Sequence, residues 1–427
     1  MKTYIYFIIL FSGLNFSAFS QNTLDYYLSR AELNSPLLEK QDNNNKLIDF
    51  DFKKYDAIYR SPKVNINSGV IFSPIITREG ANNKFKLFTS GSSDYQGYDL
   101  SATDGGQYQA LISVEQSLFT KIYHSTYKKN FELQQAQNRN AVQLTKAELK
   151  QTVTHQYILC VQSEKQMENV HKIIKVIEDN IKYMKPLVEK GIYKVIDLKL
   201  LEIELEDNRI EEKSLNGTYI ENFTSMNLLC GIKDTTIYKL DNPDLKLQDT
   251  NIDASIFSLQ FELDSLSLKN EQKIFNLDYL PQVSLLADAG LNATYRPTPN
   301  RLGFSMGFSF RWNIFDGHQK KIEREKNELL LSNIAIDKKN FELKNDIRKM
   351  NILRQIDNLN KQMILINQQL LKYDELLNLY KVEIKNNVIP VLELKTLITD
   401  MTSKRQVYTD VFITKEILIN SYNYWNL

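Results

Sequence analysis

Hydrophobic and polar residues alternate through two neighbouring segments in the second half of the chain. In residues 282–295 the odd positions from Val283 to Tyr295 are apolar, and the positions between them are polar or small apart from Leu286. The alternation resumes in residues 302–314, where the even positions from Leu302 to Ile314 are apolar. This pattern predicts a hairpin of two strands, each of about fourteen residues.

Strands of this length are unusual in soluble proteins, where about five or six residues is typical. A strand that crosses an outer membrane at a tilt needs about nine to eleven residues, with apolar side chains outward and polar ones inward. The length therefore favours a membrane location. A soluble sandwich with one solvated face is the alternative that the hairpin alone leaves open.

A looser form of the pattern lies in the first half of the chain, over residues 64–72 and 108–115. Residues 74–107 between them are rich in Gly, Ser, Asn and Asp, which predicts a long solvent-facing loop. Four strands cannot close a barrel, for which about eight is the practical minimum, and lipid does not tolerate open strand edges. Strands in a membrane would therefore require the chain to oligomerise.

Long helices follow the strands in both halves, and each carries a heptad seam with apolar residues alternately four and three positions apart. The seam of the second half comprises Ile352, Ile356, Leu359, Met363, Ile366, Leu370, Tyr373, Leu377, Tyr380 and Ile384. That of the first half comprises Met167, Val170, Ile174, Ile177, Ile181, Met184 and Val188. We expect helices from about Thr120 to Lys185 and from about Gly317 to Lys385, each roughly 100 Å long. A plain coiled-coil rod is the alternative for this seam.

The two halves are copies at a fixed offset of 196 residues. Phe119 corresponds to Phe315 at the ends of the strands, and Gly191 corresponds to Asn387 at the tips, where each long helix turns into a return helix. The return helices are expected over residues 195–229 and 391–420, and Pro390 is well placed near the start of the second. We predict a first structural repeat over residues 21–231, a linker over 232–252 and a second repeat over 253–427.

Residues 1–20 have the features of a secretory signal peptide. Lys2 supplies the positive start, residues 4–16 are largely apolar, and Ala18 and Ser20 fit the small-residue cleavage rule. We therefore expect an exported chain whose mature form starts at Gln21. Beyond this segment we find no apolar run of about eighteen residues, so no membrane-spanning helix is expected.

Charge and motifs exclude several classes of function. The 53 Lys and Arg residues balance 52 Asp and Glu residues, so the surplus of positive charge that nucleic acid binding requires is missing. We find no nucleophile elbow, phosphate loop or zinc-ligand spacing, and we expect no enzyme, cofactor or metal site. Cys160 and Cys230 are too few for a disulfide scaffold and too far apart along a helical hairpin, so two free thiols are predicted.

An exported chain with two copies of strand, strand, long helix, tip and return helix resembles the TolC family of outer-membrane efflux proteins. The segment Tyr279-Leu280-Pro281-Gln282-Val283-Ser284-Leu285, the tips, and above all the strand-to-helix junction from Phe310 through Phe315 to Gly317 carry the likeness. It extends over nearly all of the mature chain.

The resemblance implies a mixed α and β fold in which three chains give four strands each to one twelve-stranded outer-membrane barrel. The helices would form an antiparallel α-helical barrel that extends into the periplasm, with residues 232–251 in an equatorial belt. The implied function is a channel for efflux or type I secretion that passes solutes from a periplasmic adaptor protein and an inner-membrane transporter to the exterior. Outer-membrane lipid and two further copies of the chain would be its other partners.

The family's tip acids match Asp197 and Glu393, six residues beyond Gly191 and Asn387, and the resemblance implies a role in the periplasmic gate and its selectivity. An acid in a first helical turn also stabilises the helix dipole, and both roles are compatible. The Tyr and Arg latch of the best-known member corresponds to Ile384 and Ile389, so it does not carry over. The substrate, the adaptor and the class of pump are left open, and an exported coiled-coil structural or adhesion protein with a soluble β head is the alternative function.

Overall fold

The computed structural model describes residues 22–73, 75–79, 84–88, 105–249, 255–294, 302–385 and 391–427. The predicted signal peptide and the tip residues Asn387 and Pro390 lie outside the described residues. Among the described helices, none combines the length and apolar character that crossing a membrane requires. The chain divides into a helical unit of residues 1–40, 141–258 and 339–427 and a sheet unit of residues 41–140 and 259–338.

Seven helices and six strands make up the described chain. In order they are α1 (Leu24–Asn34), α2 (Pro36–Arg60), β1 (Lys63–Ser73), β2 (Ile75–Glu79), β3 (Lys84–Phe88), β4 (Gly105–Leu118), α3 (Lys121–Glu189), α4 (Val195–Leu229), α5 (Ile256–Leu277), β5 (Gln282–Thr294), β6 (Gly303–Arg311), α6 (Gln319–Lys385) and α7 (Val391–Trp425). The long and return helices agree with the sequence-based bounds to within a few residues, except that α7 continues to Trp425.

The sheet unit contains one antiparallel four-stranded sheet in the order β1, β4, β5, β6. Each predicted hairpin is formed, and β4 of the first repeat pairs with β5 of the second from Gln107 opposite Thr294 to Leu118 opposite Val283. The seam between the repeats is therefore a continuous strand ladder. Gly290 lies on this seam with φ of 152°, and a Cβ atom added there would lie 2.2 Å from the carbonyl oxygen of Ala110.

Two sequence-based expectations for the strands are wrong. Residues 74–107 are not one loop, because β2 and β3 pair within it as a separate two-stranded sheet, and β4 already begins at Gly105. The strand expected to reach Ile314 ends at Arg311, which pairs with Gln282, the first residue of β5. Residues before Gln282 do not continue the strand ladder with β6. Instead, Trp312 Nε1 donates to the Tyr279 carbonyl oxygen at 3.2 Å, and Asn313 Nδ2 donates to the Asp278 carbonyl oxygen at 2.9 Å.

The heptad seams of the long helices face inward in the helical unit. Ile352, Ile356, Ile366 and Leu377 of α6 are buried, as are Val170, Ile174, Ile177 and Met184 of α3. One cluster joins the helices of both repeats: Ile173, Ile177, Leu377, Leu394, Leu397, Ile398 and Met401. Burial of so much aliphatic surface, at roughly 25 cal/mol per Å², is the main stabilising contribution here. The other seam residues whose burial is described are partly buried, so this part of the predicted seams lies in the core.

The first tip ends α3 with a glycine in the left-handed conformation. Gly191 has φ of 75°, its N–H donates to the Val188 carbonyl at 2.9 Å, and Ile192 N–H donates to the Leu187 carbonyl at 2.9 Å. This pair of bonds is a Schellman motif, which satisfies carbonyls that the helix end leaves free. Pro186 lies inside the last turn of α3 rather than ending the helix.

Residues 232–249 form the described part of the inter-repeat linker, and they adopt neither helix nor strand. Side chains from the helices satisfy their backbone instead. Glu164 accepts from Leu240 N–H at 3.2 Å, Glu416 accepts from Leu245 N–H at 3.1 Å, and the Asn423 amide bonds both the Lys246 carbonyl and the Gln248 N–H at 2.9 Å. These contacts hold the linker against helices of both repeats.

Cys160 and Cys230 are free thiols, as predicted, and both are fully buried in one aromatic-rich cluster of the helical unit. Burial raises the pKa of each thiol to about 12. Thiols held in the neutral form are poor nucleophiles. The two cysteines are therefore packing residues.

Candidate functional site

The strand register divides the four-stranded sheet into an apolar and a polar face. Val64 pairs with Val114 and Ile66 with Ile112, and Ile112 continues across the sheet to Ala289 and then Phe304. Because strand neighbours point to the same side, these residues share one face. Its described apolar side chains are Val64, Ile66, Val70, Tyr108, Ala110, Ile112, Val114, Leu118, Val283, Leu285, Ala287, Ala289, Leu291, Phe304, Met306, Phe308 and Phe310, and Ser68 and Gln116 are its polar members.

The apolar face is open on the outermost strand, β6. Phe304 is 82% exposed and Phe308 is 74% exposed, and Ile66 on the opposite edge is 79% exposed. Contiguous apolar patches of more than a few hundred Å² are rare on soluble monomers and mark surfaces that contact a protein or a membrane. The face spans all four strands and therefore requires an apolar environment.

The opposite face is polar. Asn67 Nδ2 donates to Ser113 Oγ at 2.9 Å, and Ser305 Oγ donates to Asp288 Oδ2 at 3.4 Å. Glu115 and Arg311 fall on the same side by the register. A sheet with one lipid-compatible face and one hydrated face has the distribution of a pore wall.

Both edges of the sheet carry unpaired backbone groups. Within the described strands, β1 pairs only with β4 and β6 only with β5. An open edge is a template for another strand, and one next to lipid must be paired. The two edges are complementary surfaces for another copy of the sheet.

The strand-to-helix junctions place the predicted residues differently in the two repeats. Phe119 takes up a left-handed φ of 58° itself, whereas in the second repeat Gly317 has φ of 67° and His318 has φ of 70°. Phe119 and Phe315 are 80% and 78% exposed. Exposed aromatic side chains at the ends of apolar strands match the interfacial aromatic girdles of membrane barrels.

The first tip acid caps its helix. Asp197 Oδ2 accepts from Lys194 N–H at 3.2 Å, while Asp197 N–H donates to the Lys194 carbonyl at 3.0 Å. This geometry supports the helix-dipole role, and the side chain keeps partial exposure to solvent.

The second tip acid, Glu393, lies in the first turn of α7 and is exposed. Its Oε2 accepts from Tyr380 Oη at 3.4 Å. The return helices that carry the two acids are linked by the ion pair of Lys395 Nζ with Glu204 Oε2, at 3.0 Å. Within the described residues no group of three or more His, Cys, Asp or Glu side chains could hold a metal ion.

Sequence reasoning missed a second apolar stripe on α6, which the structure leaves exposed. It consists of Ile322, Leu329, Ile336, Leu343, Met350, Ile364 and Leu371, all at least 52% exposed. They are seven residues apart, with one interruption at Asp357. The seven-residue spacing of this stripe is visible in the sequence. Only the exposure of its side chains in the structure distinguishes it from the buried seam of the same helix.

The antiparallel sheet with two different faces and the long helical hairpins are the features that comparison with known proteins can test. No family model and no curated protein matches the chain. Solved structures match along nearly its whole length.

The outer membrane protein VceC of Vibrio cholerae matches with a TM-score of 0.71 and 11% identity over 94% of this chain and 95% of that one. A membrane protein of Pseudomonas aeruginosa matches with a TM-score of 0.72 and 13% identity, over 94% of this chain and 90% of that protein. The open state of the MtrE channel of Neisseria gonorrhoeae matches with a TM-score of 0.66 and 13% identity over 95% and 89%. The likeness confirms the predicted TolC-like fold.

Proposed function

We propose that the chain is the outer-membrane channel subunit of a tripartite efflux or type I secretion system. The observation that carries this proposal is the four-stranded sheet, whose apolar face is continuous from edge to edge while both edges are unpaired in the described chain. The TolC-like fold supports the same assignment. The channel would conduct solutes passively and perform no chemistry.

The channel would be a homotrimer in the outer membrane, with its helices in the periplasm. Pairing of β6 with β1 of the next copy would close twelve strands and remove both open edges. The exposed heptad stripe of α6 provides a matching helical surface for the neighbouring copy. A periplasmic adaptor and an inner-membrane transporter would complete the system and supply the energy.

Asp197 and Glu393 are proposed as the selectivity ring at the periplasmic mouth, with three copies of each in the trimer. Six carboxylates around one opening would attract cations and repel anions. The cap geometry of Asp197 supports this role, because a helix start fixes the position of the carboxylate. Tip motion would then open and close the mouth.

The test is single-channel recording from the purified protein in a planar lipid bilayer, with gradients that separate cation from anion current. Wild type should give discrete, cation-selective openings. The variant Asp197→Ala plus Glu393→Ala should lose selectivity or gain conductance. Asp207→Ala plus Asp400→Ala is the matched control, because it removes two exposed acids farther along the same helices.

Each outcome is decisive for one part of the proposal. Equal loss of selectivity in both double variants would reject the ring and leave the channel. Absence of current, from a protein that stays soluble without detergent and migrates identically with and without heating, would reject the channel. That result would favour an exported coiled-coil protein with a soluble β head, for which the buried heptad seams are the supporting observation.

A further inference from the structure

A groove of about 520 Å³ lies between α5 and α6 in the sheet unit. Lys269 and Lys273 line it from α5, and Lys320 and Arg324 line it from α6. Glu328 is the single acid in the lining, and its Oε1 is paired with Arg324 Nε at 3.0 Å. The groove therefore concentrates four positive charges against one negative charge.

Among the residues that the structure describes, three of these cations, Lys269, Lys273 and Lys320, form no ion pair, and only Arg324 is paired. Lys269 and Lys273 are exposed, and the neighbouring lysines of α6, Lys321 and Lys326, are paired with Glu325 and Glu323. Like charges repel one another, so an anion in the groove would stabilise this arrangement.

The lining of the groove also includes the amide side chains of Gln272 and Asn327. Asn327 is buried and donates through Nδ2 to the Leu268 carbonyl at 3.1 Å. Gln272 Oε1 is buried and has no hydrogen-bond partner among the described groups. The groove therefore has amide side chains packed beside its four cations.

The first repeat supplies an internal comparison. At the offset of 196 residues, Asn327 corresponds to Phe131, which packs in an aromatic stack between α2 and α3. Tyr55 and Tyr127 in that stack have ring centroids 4.0 Å apart. The same helix pair is thus filled with rings in one repeat and kept open and cationic in the other, so the duplicated fold does not itself produce a groove.

One lining residue of the groove, Lys320, contacts the segment that precedes β5. Trp312, the next even position after Phe310, donates through Nε1 to the Tyr279 carbonyl, and the Lys320 ammonium lies 4.8 Å from the centre of the Tyr279 ring. Lys320 is nine residues beyond Arg311, the end of β6, and Lys273 is nine residues before Gln282, the start of β5. Cations directly beyond apolar strands lie at the depth of lipid headgroups.

We propose that this groove binds the phosphate of an anionic phospholipid headgroup, with Lys269, Lys273, Lys320 and Arg324 as its cationic contacts. The phosphate would neutralise the unpaired lysines. This inference rests on the proposed membrane location. One bound lipid per subunit would fix the depth of the sheet in the bilayer.

The test is isothermal titration of the detergent-purified full chain with dihexanoyl phosphatidylglycerol. Dihexanoyl phosphatidylcholine, in which a cation offsets the same phosphate, and inorganic phosphate are the comparison probes. Lys273→Gln plus Lys320→Gln should weaken phosphatidylglycerol binding by about 30-fold, since each cation near a lipid surface contributes about 1 kcal/mol. Lys321→Gln plus Lys326→Gln removes the same charge from α6 outside the groove and should change the affinity by less than about twofold.

The inference is supported if phosphatidylglycerol binds more tightly than both other probes and only the groove variant loses this binding. Equal losses in the two double variants, or equal binding of both lipids, would overturn it. Inorganic phosphate that binds as tightly as phosphatidylglycerol would identify a solution anion instead of a lipid. Single-channel recording separates this result from the proposed function, because a wild type that conducts without binding phosphatidylglycerol rejects the lipid site alone.

Discussion

Glu416 is a carboxyl held inside the helical unit, with 4% of its surface exposed. Burial is the largest influence on Glu416 and raises its pKa, and the nearby Asp244 raises it further. The hydrogen bond donated by Leu245 N–H and the nearby Lys415 lower this pKa. The pKa of Glu416 therefore lies above the ordinary value for a glutamate. The hydrogen bond from Leu245 N–H in the linker thus depends on a side chain whose charge is costly to bury.

This pKa determines how stability changes with pH. Because the folded-state pKa lies above the ordinary value, protonated Glu416 favours the folded chain, and that contribution is lost as the pH rises through the folded-state pKa. The melting temperature of the detergent-purified wild type should therefore fall relative to that of Glu416→Gln as the pH increases above about 4.5. Glu416→Gln keeps an acceptor for Leu245 N–H and should flatten this dependence.

Thermal unfolding of both proteins across the range from about pH 4.5 to 7.5 checks the prediction. Glu262→Gln is the control, because Glu262 is exposed and paired with Lys338 at 3.1 Å. Parallel melting curves for wild type and Glu416→Gln over the whole range would contradict the assignment of this cost to Glu416.

At the scale of elements, the seam between β4 and β5 depends on one close backbone approach. Gly290→Ala would place Cβ 2.2 Å from the Ala110 carbonyl oxygen and 3.0 Å from Leu111 Cα, at a φ of 152° that side chains rarely adopt. Backbone atoms on both sides must shift, so the ladder that joins the two repeats should open locally.

We expect Gly290→Ala to reduce the fraction of heat-resistant, folded oligomer several-fold on unheated gels. Gly307→Ala is the matched control in the same sheet, because a Cβ atom at Gly307 meets nothing within 4 Å, and it should behave as wild type. Equal folded fractions for the two variants would show that the seam tolerates the added carbon.

Much of the element-scale structure was predictable from sequence. Alternation predicted the four strands and the 4,3 spacing predicted the buried seams, because side-chain periodicity is a local property of strands and helices. The β2 and β3 pair was missed, since short strands within polar, Gly-rich sequence carry little alternation. The early end of β6 was also missed. β6 ends at Arg311 because its partner β5 begins at Gln282, and the alternation of β6 alone does not show where that pairing stops.

At the scale of the whole molecule, the apolar face of the sheet separates the channel from the soluble alternative. Phe308 and Ser309 are consecutive residues of β6 on opposite faces. An arginine on a lipid-facing side costs about 2–4 kcal/mol near the middle of the bilayer, whereas one on a hydrated side costs little. Phe308→Arg should therefore reduce the folded oligomer recovered from membranes by at least about tenfold.

Quantitative gels of unheated membrane extracts measure this effect, with Ser309→Arg as the control that should assemble normally. If the two variants assemble equally well, the face that carries Phe308 is not in lipid. If only Ser309→Arg fails, the face that carries Ser309 is not hydrated and the assignment of the two faces must be reversed.

The sequence by itself determined the strand and helix periods, the duplication at 196 residues and the resemblance from which the fold follows, because these depend on residue type and spacing along one chain. Tertiary structure decided which of two heptad stripes on α6 is buried, that β4 and β5 join the repeats, and how side chains hold the linker. It also brought Lys269 and Lys273 of α5 to Lys320 and Arg324 of α6. Such groupings depend on contacts between segments far apart in sequence, which no local pattern encodes.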